Sequence, residues 1–124
     1  MEYIIKGTVV PGRRLGRELG FPTANLAAGD TPGIADGVYA VRVRVGGRQY
    51  EGMANLGHKP SVAGPDAERM LEVNLFGFDG DLYGKEIEAA LVRFIRPEKH
   101  FASLDELRTA IAADRRVIEE YFAG

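Results

Sequence analysis

The sequence contains no cysteine, which removes a whole class of chemistry. There is no disulfide to staple the fold, no thiolate nucleophile and no thiolate metal site. Histidine is nearly missing too: His58 and His100 cannot build a zinc site by themselves. Positive charge is not in excess, since 16 Lys and Arg face 18 Asp and Glu for a net charge of -2. The basic field that marks sequence-independent nucleic-acid binding is therefore lacking, and no nucleic-acid partner is expected. No apolar run approaches the roughly 20 residues of a membrane helix. The opening Met1-Glu2-Tyr3-Ile4-Ile5-Lys6 lacks the basic region and apolar stretch of a signal peptide. The expectation is a cytoplasmic protein without membrane contact. Neither a Gly-x-x-x-x-Gly-Lys-Ser/Thr loop nor a His-Arg-Asp loop occurs, so a P-loop fold and a protein-kinase fold are unsupported.

What is present describes one domain, residues 1–124. Sixteen glycines and six prolines point to many tight turns between short strands. Tyr3 to Val10 is rich in β-branched and aromatic residues and reads as a strand. A loop follows, in which Arg13, Arg14 and Arg17 stand among Gly12 and Gly16. Residues 27–37 form a second loop. Val38 to Val45 alternates, with Tyr39, Val41, Val43 and Val45 on one face and Arg42 and Arg44 on the other. Gly46-Gly47 then marks a hairpin, with Arg48 to Leu56 returning. Gly57 to Asp66 reads as loop. Residues 69–78 make a strand with Leu71, Val73 and Leu75 opposite Met70, Glu72, Asn74 and Phe76. Residues 86–96 make another, with Ile87, Leu91 and Ile95 opposite Val92 and Phe94. The period then changes. Leu104, Leu107, Ile111, Ile118, Tyr121 and Phe122 recur at helical spacing behind the capping box Ser103-Leu104-Asp105-Glu106. The fold class is mainly β, a small antiparallel barrel with one C-terminal amphipathic helix against it.

Several residues could carry chemistry. Gly12 permits close backbone approach to a ligand, and the nearby arginines could meet phosphate oxygens, although such a turn also fits a solvated loop. Thr23 and Asn25 flank one alanine, so an extended chain puts their oxygens on one face, fit for a hard cation such as Mg²⁺. The same pair also suits a turn in which both side chains bond the backbone. Glu72 stands between Leu71 and Val73; a charge mid-strand is a candidate general base if it faces a cleft, and a solvent-facing ion pair otherwise. Tyr83 could stack on an aromatic ligand or pack at the rim. The run Arg96-Pro97-Glu98-Lys99-His100-Phe101 could edge a planar heterocycle or simply connect strand to helix.

These features stand in an order that resembles the riboflavin kinases, free-standing or as the kinase module of bifunctional FAD synthetases. The resemblance runs through Gly7-Thr8-Val9-Val10, Gly16 to Leu26 with its Gly20-Phe21-Pro22-Thr23-Ala24-Asn25 core, Gly37-Val38-Tyr39 and Ala54-Asn55-Leu56-Gly57. It continues through Leu71-Glu72-Val73, Asp81-Leu82-Tyr83-Gly84, Ile95 to Lys99 with Phe101, and Ser103 to Leu107. It implies a six-stranded Greek-key barrel and transfer of the ATP γ-phosphoryl group to the riboflavin 5′-hydroxyl, giving FMN and ADP. It implies Thr23 and Asn25 as holders of Mg²⁺ and nucleotide phosphate, with Gly12, Arg17, Asn74 and Tyr83 also on the nucleotide. Glu72 would take the hydroxyl proton, and Arg96, Lys99, Phe101 and Glu106 would border the flavin. The partners expected are riboflavin, FMN, ATP and ADP, on a monomer. Asn74 departs from a common His, Ser61 from a common Thr, and Pro11 from a basic residue; these bear on affinity and nucleotide preference. No adenylyltransferase module precedes residue 1, so FMN rather than FAD is the expected product. The alternatives are a flavin- or nucleotide-binding regulatory module without catalysis, and a nucleic-acid-binding barrel, which the acidic balance disfavours.

Overall fold

The computed structural model describes residues 3–10, 23–29, 31–60, 67–78 and 80–124. Six strands, β1 (Tyr3–Thr8), β2 (Ala24–Ala27), β3 (Gly37–Val45), β4 (Arg48–Pro60), β5 (Ala67–Leu75) and β6 (Glu86–Arg96), precede one helix, α1 (Leu104–Ala123). All pairings are antiparallel, in the order β1-β6-β3-β4-β5-β2. A bridge between Val10 and Asn25, with the Val10 amide donating to the Asn25 carbonyl at 2.8 Å, brings the two edges together into a nearly closed Greek-key barrel. Near-closure brings the two outer strands of the sheet next to each other, which limits the exposed strand edge.

Alternation divides the strands into an inner and an outer set. Leu26, Leu56, Leu71, Val41, Val43, Val73 and Ile87 fill the barrel and are almost wholly buried. A second, smaller core lies outside the barrel wall, where Val38, Ala40 and Met53 meet Ile118 of α1. Val38 and Ala40 thus bury a face of β3 that Arg42 and Arg44 alone would suggest is wet. Around this outer core three arginines lie over aromatic rings: Arg42 over Phe122 at 5.1 Å, Arg93 over Tyr121 at 5.3 Å and Arg115 over Phe76 at 4.6 Å. Each contributes about 0.5–1 kcal/mol at such half-exposed sites.

Three expectations need correction. Ile95 does not share a face with Ile87 and Leu91. The pairing of β6 with β3 shifts twice, leaving Val92 and Ile95 as extra residues, and both pack on the outer core. A bulge resets the parity of everything beyond it, which a simple alternation cannot foresee. Phe94 therefore joins the Tyr39 side, edge to face at 5.3 Å. The segment from Gly57 is not loop, because β4 stays paired with β5 out to Pro60. Finally, Leu104 and Tyr121, expected on the apolar stripe, stay exposed at 55% and 37%.

Glycine is required at two places. Gly37 has φ +151°, and a side chain there would run into the Arg96 carbonyl and the Phe94 ring. Any Cβ at Gly52 would collide with the Asn74 carbonyl of β5.

Candidate functional site

Residues opposite one another on neighbouring strands share a face and lie about 4.5–5.5 Å apart. Following the pairings sideways gives one row around the barrel: Val10 with Asn25, Asn25 with Glu72, Glu72 with Asn55, Asn55 with Val38, and Val38 with Arg96. The neighbours of this row along each strand, Ala24, Leu26, Leu71, Val73, Ala54 and Leu56, all point into the core. The row therefore faces outward, and its three central members are an amide, a carboxylate and an amide. Asn25 is buried and Glu72 half-buried.

The two halves expected of a phosphoryl-transfer site, the Thr23/Asn25 pair and Glu72, thus stand side by side. Thr23 precedes β2 by one residue and is half-buried. Asn74, two places beyond Glu72 on the same face, is buried beside Met53, its partner on β4. Tyr83 is exposed in the turn before β6, where its amide donates to Asp81 Oδ1 at 2.9 Å. The neighbouring Gly84 amide donates to the Val9 carbonyl at 3.0 Å, placing that turn by the Val10 end of the row. Gly12 and Arg17, with Arg13, Arg14, Gly16, the Gly20–Pro22 part of the matching run, and the departures Pro11 and Ser61, lie outside the described residues.

Arg96 stands at the far end of the row, three strands from Glu72. Its guanidinium grips Asp114 of α1 through both carboxylate oxygens, Nε to Oδ1 at 2.9 Å and Nη2 to Oδ2 at 2.7 Å. Phe101 lies near two cations, with Arg96 Cζ and Lys99 Nζ each 5.8 Å from its ring centre. Lys99 itself is exposed. Glu106 is engaged locally: its carboxylate accepts from the Ala102 amide at 2.7 Å, while Ser103 Oγ accepts from the Glu106 amide at 3.1 Å. The capping box is present, with the carboxylate reaching one residue before the cap.

Sequence reasoning missed Asp114, Asn55 and the plug at one barrel end. Asp114 sits between Ile111 and Ile118 on the buried stripe of α1, and a carboxylate in that stripe was the signal for a cationic partner. At the barrel mouth, Arg69 donates to Asp36, to Thr31 through both its carbonyl and hydroxyl, and to the Ile34 carbonyl. His58 Nδ1 is 3.0 Å from the other Asp36 oxygen. Burial opposes the Asp36 charge, but the Arg69 and His58 hydrogen bonds outweigh it and hold the carboxyl below its ordinary 3.8. The Tyr39 hydroxyl, donating to the Ala35 carbonyl at 2.6 Å, is pushed up chiefly by burial.

No group of three or more His, Cys, Asp or Glu that could hold a metal occurs among the described residues. A hydroxyl and an amide oxygen are hard donors, and Mg²⁺ commonly takes only one or two protein ligands and fills its shell with phosphate and water. The Thr23/Asn25 pair fits that cation and no thiophilic one.

Fold and row together define a class: a Greek-key barrel with one helix and a row of polar residues on its outer wall. The chain belongs to the flavokinase, or riboflavin kinase, family, whose model matches residues 1–122. It is 45% identical over 121 residues to a bifunctional riboflavin kinase/FMN adenylyltransferase of Escherichia coli K12, covering 97% of this chain and 38% of that protein. It is 44% identical over 119 residues to an RNA-binding riboflavin kinase of Bacillus subtilis, RibR, covering 96% of this chain and 51% of that one. The chain thus spans about half of these relatives' length or less. The fold matches the crystal structure of a riboflavin kinase from Trypanosoma brucei with a TM-score of 0.64 at 22% identity, over 98% of this chain and 80% of that one. Among the described residues no helix is long and apolar enough to cross a membrane.

Proposed function

We propose that this domain transfers the γ-phosphoryl group of ATP to the 5′-hydroxyl of riboflavin, giving FMN and ADP. One observation carries the proposal within the family: Asn25 and Glu72 are direct partners on adjacent strands, on the outer face. Glu72 takes the proton of the hydroxyl as its oxygen attacks the γ-phosphorus. The bond to the β–γ bridging oxygen breaks and ADP leaves. Mg²⁺, when bound, neutralises charge on the phosphate oxygens, and Thr23 and Asn25 are the residues that would hold it. Phosphoryl transfer asks chiefly for positioning and charge stabilisation, which a rigid row on paired strands supplies. Arg96, Lys99 and Phe101 border the flavin ring, with Glu106 fixing the start of α1 beneath it. Asn74 and Tyr83 flank the nucleotide side, joined by Gly12 and Arg17. The same reading has the domain act as a cytoplasmic monomer on small molecules, without nucleic acid.

The test is FMN formation from riboflavin, ATP and Mg²⁺, followed by chromatography. Glu72→Gln should lower kcat by about 10²–10⁴-fold, the usual contribution of a positioned base, with an unchanged circular dichroism spectrum. Turnover near the parent rate would remove Glu72 from the role. Tight riboflavin binding without FMN would favour a regulatory flavin-binding module.

A further inference from the structure

The chain leaving β6 passes from Arg96 over the start of β3 toward Asn55 and Glu72, close against two glycines. Arg96 and Pro97 lie on Gly37 of β3, where any Cβ would meet the Arg96 carbonyl and come within 3.1 Å of the Pro97 Cα. One strand further, the Glu98 carboxylate rests on Gly57 of β4, in space that a side chain at residue 57 would occupy. Gly37 pairs with Leu56, the residue just before Gly57, so the two contacts are neighbours across the β3–β4 pairing. Beside them, Asn55 Nδ2 donates to Glu98 Oε1 at 3.4 Å. Asn55 is the direct partner of Glu72.

We propose that Asn55 and Glu98 form a clasp that positions the 97–101 connection, and with it Lys99 and Phe101, against the strand beside Glu72. Both are positioning residues. The clasp rests on the kinase reading above, since it sets where the flavin lies relative to the base. Its physical logic is a division of labour. The Arg96–Asp114 pair fixes the root of the connection to α1. Without the clasp the next residues, exposed and held by few contacts, would sample many conformations, and flavin binding would carry the cost of ordering them. Glu98 is exposed, so its side chain would not stay over β4 without a partner there.

The experiment is steady-state kinetics with riboflavin and ATP varied separately, paired with riboflavin titration read by flavin fluorescence. Asn55→Ala and Glu98→Ala should each raise the riboflavin KM and Kd by about three- to tenfold, the worth of an ordinary hydrogen bond as befits a long, exposed one, and leave the KM for ATP unchanged. The double variant should be no worse than either single, because both remove the same contact. Glu98→Gln, whose amide oxygen still accepts, should recover most of the loss. Riboflavin constants at parent values in both singles would overturn the clasp. So would a double variant equal to the product of the singles, or an equal rise in the KM for ATP. If the parent binds riboflavin but makes no FMN, the kinase reading fails, and the Kd series still decides on the clasp. A parent that binds no riboflavin overturns both.

Discussion

Asp114→Asn is the substitution whose consequences the structure fixes most tightly. Asp114 lies on the buried stripe of α1 and holds Arg96 through two short, parallel hydrogen bonds. The side chains are 10% and 26% exposed, so water reaches Arg96 but scarcely reaches the carboxylate. Breaking a fully buried pair by removing one partner costs about 3–5 kcal/mol, whereas an exposed pair is worth 0–1. A pair exposed to this degree, losing one charge-assisted bond and presenting an NH₂ to a guanidinium, should cost about 2–3 kcal/mol. An unfolding entropy of about 2.1 cal/mol/K per residue then puts the fall in Tm at about 8–12 °C for a domain of this length. Thermal denaturation followed at 222 nm reads it directly. Two controls isolate the cause. Arg96→Met combined with Asp114→Leu should recover stability relative to either single change, because no buried charge is left unpaired. The loss should also persist in 1 M salt, since a shielded pair is little screened. A shift under about 2 °C, or one that salt abolishes, would refute the claim that this pair docks α1 on β6.

Three further outcomes are expected. Thr23→Ala should weaken Mg²⁺–ADP binding about tenfold by calorimetry, with riboflavin affinity unchanged; unchanged nucleotide affinity would remove Thr23 from the site. Gly52→Ala should cost about 1–3 kcal/mol in urea denaturation, because its methyl meets a backbone carbonyl that is held in the β4–β5 ladder and cannot move aside. The Asp36 carboxyl is depressed below 3.8, so its contribution is present above that value and is lost as pH falls through the folded pKa. Urea midpoints of the parent and Asp36→Asn should therefore differ at pH 6 and converge as the pH is lowered below 3.8; a gap constant with pH would show that the charge of Asp36 does not matter.

Of the strands that carry the candidate site, β3 to β5 were legible because their local signals agreed with their surroundings, whereas the sequence of Ala24–Ala27 suits both an extended segment and a turn. The Val38–Val45 alternation, the Gly46-Gly47 turn and the return strand fix a register in which Val45 meets Arg48 and Val38 meets Asn55. Leu71 and Val73 put Glu72 outward without any knowledge of its neighbours. The helix cap was equally local, since Ser103 and Glu106 are three residues apart and need no tertiary partner. What failed was long-range. The two bulges in β6 arise beyond Leu91, where its pairing with β1 has ended and β3 remains its partner, and no pattern within residues 86–96 records where that change falls. The Arg69 plug joins residues 33 to 38 positions apart, and nothing adjacent to Arg69 in the chain points to those partners.

The bulges also bear on how a row on the outer wall could serve as the proposed site. Without the extra residue at Ile95, Arg96 would take the opposite parity and point toward the barrel mouth with Phe94. With it, Arg96 joins Val38 on the outer face and reaches Asp114. The closed barrel leaves no room inside, because its lumen is filled by branched side chains. A ligand of the proposed kind must therefore lie on the outer wall. The polar row runs along that wall from the Asn25 side, and the bulge places Arg96 at its other end. A deletion of Ile95 tests the point: it should preserve the inner core residues yet abolish the Arg96–Asp114 pair, and Asp114→Asn should then cost no further stability.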